Sequence, residues 1–345
     1  MRILQITLSL SLILLFTTAA SAKIVFSAYK NGNDNIYVMG DDGSNITQLT
    51  NTTQSQWQPR WSPDGQQIAF MRDTDPSNNI YRNTFIMNAD GTNLRQLTNH
   101  KGNDRGLAFS PDGRKLLIGS SPNTKGLHIM DFETGNVKRI LNLIIGDVDW
   151  SPDGKQIVFV NTDSNIERTE DNIWIMNADG TNARPWAPPI IPVRTMDRDG
   201  GRWSPDGQQI LYTEIDKIVE ERKLTNGAIG RSIKNKGTNR YITRDLSGGA
   251  SQQLTIPENW YPHSVAWMDD GKSVLFCAYV PSEDPDDQDR WTQIYRYDIT
   301  SGAITQLTHD PGSKMSADWI SGAYAISPTG KQSVRWGELK KAYSD

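Results

Sequence analysis

Trp61-Ser62-Pro63-Asp64-Gly65 decides the fold, because the chain repeats it. It returns as Phe109-Ser110-Pro111-Asp112-Gly113, as Trp150-Ser151-Pro152-Asp153-Gly154 and as Trp203-Ser204-Pro205-Asp206-Gly207. A worn copy reads Trp267-Met268-Asp269-Asp270-Gly271, and Ala317-Asp318-Trp319 begins another without completing the turn. Ser-Pro-Asp-Gly is a tight turn in which proline presets φ and glycine supplies a positive φ. The aromatic ahead of it closes one strand, and an apolar run after it opens the next, as in Ile68-Ala69-Phe70 and Ile157-Val158-Phe159.

Working outward, a third strand follows in each copy, as in Thr84-Phe85-Ile86-Met87 and Ile173-Trp174-Ile175-Met176. A second glycine turn comes next, as in Asn88-Ala89-Asp90-Gly91, then a short strand ending as in Arg95-Gln96-Leu97-Thr98. Short strands in units of about 40–50 residues are the mark of propeller blades. The segment from Lys23 to Thr50 supplies a second, third and fourth strand, while the matching first strand stands at the other end, around Ser316 to Trp319. The expectation is therefore an all-β chain: a six-bladed β-propeller of four-stranded antiparallel blades, closed by pairing the C-terminal strand with the N-terminal three. The repeat aromatics are expected in the core, each contributing about 2–3 kcal/mol by burial.

The start of the chain has a different character. Arg2 precedes an apolar run to Phe16, and Ala20-Ser21-Ala22 offers a small-x-small cleavage site. That is the layout of a secretory signal peptide. The expected organisation is a signal peptide at 1–22, the propeller at 23–323 and a C-terminal tail of unexplained role at 324–345. A periplasmic or secreted location is expected, with no membrane span after cleavage. A formal net charge of -4 gives no basic excess for a nucleic-acid partner. The single cysteine, Cys277, lies in the apolar run Val274 to Tyr279 and is expected as a buried small side chain.

The repeat resembles that of the TolB-type β-propeller. Ile36-Tyr37-Val38-Met39, then Asp42-Gly43, then Gln48-Leu49-Thr50 follows its pattern closely, and the likeness runs from Lys23 to Trp319. It implies a propeller that binds a partner in the cell envelope; TolB itself has an α/β domain ahead of the propeller, so the likeness is to the propeller portion. The repeat is also similar to the propellers attached to prolyl oligopeptidase-type hydrolases and to those of some sugar-acid lyases, which hold a metal on channel histidines.

The residues themselves offer little catalysis. There is no Gly-x-Ser-x-Gly string, and His100, His128, His263 and His309 have no metal-pair spacing. The acidic stretch Ser282 to Asp289 lacks the glycine and closing glutamate of a calcium loop. No cofactor, metal or catalytic residue is expected. The expected function is an exported, non-catalytic binding scaffold, monomeric, holding an envelope or secreted protein or a small ligand. The alternative is a propeller enzyme, a metal-dependent lyase or hydrolase-associated propeller, acting on a peptide or sugar acid. Length varies chiefly between second and third strands, at Asp73 to Asn79, Asn161 to Asp171, Glu214 to Asn239 and Pro281 to Trp291, and between units at Ala187 to Asp199. All open on the face where first strands begin. The candidate ligand-binding residues at that channel mouth are Trp57, Arg105, Asp147, Asp199 and His263.

Overall fold

A computed structural model of the chain describes residues 23–74, 81–121, 125–162, 172–188, 196–223, 229–268, 271–281 and 291–320. The expected signal peptide and C-terminal tail lie outside them, as do most of the connections at 163–171, 189–195 and 282–290.

The described chain is strand throughout. It opens with β1 (Lys23–Lys30), β2 (Asn33–Gly40) and β3 (Thr47–Gln48). There follow β4 (Gln56–Trp61), β5 (Gln67–Asp73), β6 (Arg82–Asn88) and β7 (Arg95–Gln96), then β8 (Asn103–Phe109), β9 (Lys115–Ser121), β10 (Gly126–Asp131) and β11 (Val137–Leu141). Next come β12 (Ile145–Trp150), β13 (Gln156–Asn161), β14 (Asn172–Asn177) and β15 (Arg184–Pro185), then β16 (Met196–Trp203), β17 (Gln209–Lys223), β18 (Ile229–Asp245) and β19 (Ser251–Gln253). The last are β20 (Tyr261–Trp267), β21 (Ser273–Tyr279), β22 (Thr292–Asp298), β23 (Ile304–Gln306) and β24 (Lys314–Ile320).

The repeated turn forms as its residues dictate. Ser62 Oγ donates to Asp64 Oδ1 at 2.6 Å and accepts from Gln67 N at 2.9 Å, while Gly65 N donates to Ser62 O at 2.8 Å. The copies at Ser110, Ser151 and Ser204 repeat the hydroxyl–carboxylate bond at 2.6, 2.7 and 2.6 Å. The Leu-Thr ending has its own purpose. Thr98 Oγ1 accepts from Thr84 N at 2.8 Å, as Thr50 does from Ile36 N at 2.9 Å and Thr308 from Ile294 N at 3.0 Å. These three outermost strands are thereby stitched to the third strand where the backbone ladder stops.

These units form a β-propeller, but the expectation of six separate four-stranded blades is corrected. Four sheets stand alone with four strands each, in the orders β24-β1-β2-β3, β12-β13-β14-β15, β16-β17-β18-β19 and β20-β21-β22-β23. The strands from β4 to β11 make one eight-stranded sheet instead. The cause is a parallel bridge between Arg82 and Asn103 that joins β6 to β8. Arg82 N donates to Gly102 O at 3.1 Å and to Asn103 Oδ1 at 3.2 Å, so β6 clasps the start of β8. Beneath the clasp, fully buried Asp104 accepts from Thr84 Oγ1 at 2.7 Å and Thr98 Oγ1 at 2.5 Å and pairs with His100 Nε2 at 2.8 Å. Both Asp104 and Ser120 approach His100 on that one nitrogen, at 2.8 and 3.4 Å. A catalytic triad needs acid and hydroxyl on opposite ring nitrogens, which is not the arrangement of these two contacts.

Closure occurs between β24 and β1, which pair antiparallel from Lys23↔Ile320 to Ala28↔Lys314. The core fills the spaces between sheets. One cluster joins Ile24, Phe26 and Met39 to Leu275, Cys277 and Ala317, another joins Val25 and Ile36 to Trp61, Ile68 and Phe70. Cys277 is the expected buried thiol, and burial pushes its pKa up.

Candidate functional site at the channel mouth

The inner strands β4, β8, β12, β16, β20 and β24 neighbour one another in a closed circle. All begin on one face, so their starts ring the centre of that face, the candidate channel mouth. In every one of them the ladder to its neighbour slips, at Trp57/Arg60, Arg105/Leu107, Ile145/Val148, Asp199/Arg202 and Pro262/Ser264, and in β24 opposite Val25/Ser27. A bulge re-aims the side chains beside it. Four of the slips carry a positive φ: Gln58 at 50°, Gly106 at 54°, Gly200 at 74° and Ser316 at 55°. Gln58 and Ser316 adopt it without being glycine, a conformation most residues avoid. Gln58 also accepts from Gly106 N on its side-chain oxygen at 3.0 Å, which ties β4 to β8 across this belt.

The candidate mouth residues sit on the belt, and the structure sorts them. Arg105, Asp199 and His263 are exposed. Asp199 Oδ1 also accepts from Gly200 N at 2.8 Å, which fixes the bulge below it. The protein around the His263 ring holds its pKa below the ordinary histidine range. Trp57 is engaged elsewhere: Nε1 donates to Asp34 Oδ2 at 3.0 Å, and the Arg82 guanidinium lies 4.1 Å from the ring centroid. Burial raises the Asp34 pKa against the opposing effect of that tryptophan bond. Asp147 turns inward, accepting from Arg202 Nη2 at 3.0 Å with Arg60 Nη2 at 3.8 Å from its other oxygen.

Below the belt lies a charged cluster that sequence reading missed. Its members stand directly before the repeat aromatic: Arg60, Asp149, Arg202 and Asp318, with Ala108 and Ala266 at the remaining positions. Asp318 Oδ2 accepts from Trp61 N at 2.8 Å, and Asp149 Oδ2 accepts from Trp203 N at 3.0 Å, so each carboxylate caps the backbone of the next unit. Arg60 Nε donates to Leu107 O at 3.2 Å, and Arg202 Nη1 donates to Gly201 O at 3.1 Å. Burial pushes the Asp149 pKa up to about 6, against the pull of Arg202 and Arg60. The visible signal was an alternation of sign at one repeat position; what hid it was that tryptophan seemed the only informative residue there.

Arg60 and Arg202 in this network are buried, so an incoming group meets the exposed belt first. Among the described residues, no group of three or more His, Cys, Asp or Glu side chains is placed to hold a metal ion. Nor, among them, is any helix long and apolar enough to cross a membrane.

Residues 81–224 match the family model of the TolB beta propeller domain. The chain is a TolB-like β-propeller. The TolB-like repeat is 42% identical over 59 residues to a protein TolB homolog of Chlorobaculum tepidum, covering 17% of this chain and 14% of the relative. It is 29% identical over 196 residues to an uncharacterized protein of Agrobacterium fabrum, covering 56% of this chain and 52% of the relative. The chain thus spans about half of one curated relative and far less of the other. The TolB-like fold also superposes on the crystal structure of TolB from Acinetobacter baumannii with a TM-score of 0.65 at 16% identity, over 88% of this chain and 67% of that one.

Proposed function

We propose that this TolB-like propeller is an exported, non-catalytic binding scaffold whose partner docks on the face where the inner strands begin. The observation that carries this reading is the bulged belt, which recurs at one level of every inner strand and leaves Arg105, Asp199 and His263 exposed above the ionic network. A rigid ring with a polar, mixed-charge rim suits a protein segment or a small anionic or sugar-like ligand. The short turns on the opposite face spend their polar atoms on their own geometry, as Asp64 does on Ser62 and Gln66. Trp57 and Asp147 shape the rim, the first by holding Arg82 and Asp34, the second by anchoring Arg202. The partner is an envelope or secreted protein, consistent with the TolB-like repeat and with the leader-like residues ahead of Lys23. The mature chain acts as a monomer without a cofactor.

Affinity capture from a bacterial envelope fraction tests this with two charge-altered proteins. Arg105→Glu with Asp199→Lys alters the mouth; Arg114→Glu with Lys155→Glu alters exposed residues beside the short turns. Capture is expected to fail only with the mouth variant. Loss confined to the short-turn variant, with both proteins folded, would place the partner on the other face.

A further inference from the structure

The second-to-third connection between Glu214 and Asn239, one of those whose length varies, carries a two-stranded ribbon. β17 has 15 residues and β18 has 17, the longest strands described. β16 accompanies β17 only as far as Met196↔Asp216, and β19 pairs with β18 only from Ile242 to Arg244. Beyond that the two strands pair solely with each other, from Lys217↔Asn235 to Lys223↔Ile229. At about 3.3 Å per residue the ribbon extends about 20 Å past the start of β16, on the mouth face.

Its root is braced. Lys217 Nζ meets Asp197 at 2.8 Å, Arg240 holds Asp216 at 2.6 and 3.2 Å, and Arg198 Nε donates to Glu214 at 2.9 Å. These contacts anchor the ribbon where it leaves the ring. Among the described residues, no strand pairs with the outer edge of β17 from Lys217 to Lys223 or of β18 from Ile229 to Asn235. An open edge of that length can accept a further strand, which is why proteins ordinarily cover or shorten such edges.

The two edges differ in charge. The β18 stretch from Ile229 to Asn239 contains Arg231, Lys234 and Lys236 and no acidic residue. The β17 stretch from Lys217 to Lys223 mixes Glu220 and Glu221 with Lys217, Arg222 and Lys223. We propose that the outer edge of β18, from Ile229 to Asn235, takes up an extended acidic segment of a partner protein as an added strand. Main-chain bonds supply the pairing and the basic residues select the sequence, as in other strand-addition complexes. This docking element is separate from the belt residues at the mouth.

The probe is an acetylated octapeptide of alternating Asp and Val, titrated at low salt against the whole mature chain. Binding is expected, and Arg231→Glu with Lys234→Glu should weaken it about tenfold or more through charge alone. N-methylation of alternate peptide nitrogens keeps the charge but blocks strand pairing, and it too should weaken binding about tenfold or more. Replacing residues 218–235 by Asn-Gly should abolish binding while the thermal midpoint of the ring is kept, a check that does not depend on the charge variant folding. The mouth variant Arg105→Glu with Asp199→Lys should bind the octapeptide normally, which separates this proposal from the preceding one. Equal binding of the N-methylated octapeptide, equal binding by the ribbonless chain, or self-association through the ribbon with no octapeptide binding would each overturn the proposal.

Discussion

Asp149 shows what a single residue costs this ring. Both its oxygens accept backbone N–H groups, from Trp150 and Trp203 at 3.0 Å each, and two arginines favour its charge. Burial still outweighs them and lifts its pKa to about 6. An acid whose pKa is higher folded than unfolded holds its proton more tightly in the fold, so its ionisation opposes folding. The penalty is absent below about pH 4, the unfolded value for aspartate, grows as pH rises and is complete above about 6. Asp149→Asn keeps an acceptor for Trp203 and removes the charge. It should raise stability to urea at about pH 8 by up to about 3 kcal/mol and change it little at about pH 4. A variant less stable than the parent at the higher pH would mean that the arginines depend on this carboxylate more than burial opposes it. Such a role was hidden in the sequence because Asp149, Arg60, Arg202 and Asp318 come from different units. Trp57 lies on the inner strand β4, and its engagement with Asp34 and Arg82 follows from contacts that no local spacing encodes.

At the scale of elements, the turn chemistry was legible and its neighbours were not. Ser-Pro-Asp-Gly closes as its residues require, yet the same prolines also meet the next unit. A Cβ on Gly113 would stand 3.7 Å from Pro63, one on Gly154 3.8 Å from Pro111 and one on Gly207 3.6 Å from Pro152. The second glycine turn is tighter still. At Gly43, with φ 84°, a Cβ would fall 2.3 Å from Leu307 O, at the seam between the first and last units; at Gly32, with φ 94°, it would meet nothing within 4 Å. Gly32→Ala should therefore cost only the backbone preference, about 1–2 kcal/mol. Gly43→Ala adds a clash with fixed backbone and should cost several kcal/mol more, on the order of an overpacked core. Chemical denaturation of the two variants checks this, and equal losses would show that the seam yields. The ribbon was not legible for a related reason: Glu214 to Asn239 has too few apolar residues to signal strand, and its strands are defined by pairing with each other and by ion pairs at the root.

For the whole molecule, closure was readable because the first unit lacks an inner strand that the far end of the chain supplies. The number of separate sheets was not, since the copies look alike and the Arg82–Asn103 clasp has no repeated motif. A chain ending after Ile320 retains β24. One ending after Gly312 uncovers the edge of β1 and should aggregate or melt far lower, because Ile24 and Phe26 lose their cover. Equal stability of the two truncations would contradict closure through β24. We propose the face where the inner strands begin as the working surface. Amide hydrogen exchange of residues 23–345, with and without the captured partner, tests this. Protection is expected at the starts of β4, β8, β16 and β20, around Trp57, Arg105, Asp199 and His263, with the turns at 62–66, 110–114, 151–155 and 204–208 unchanged. Protection confined to those turns would contradict it.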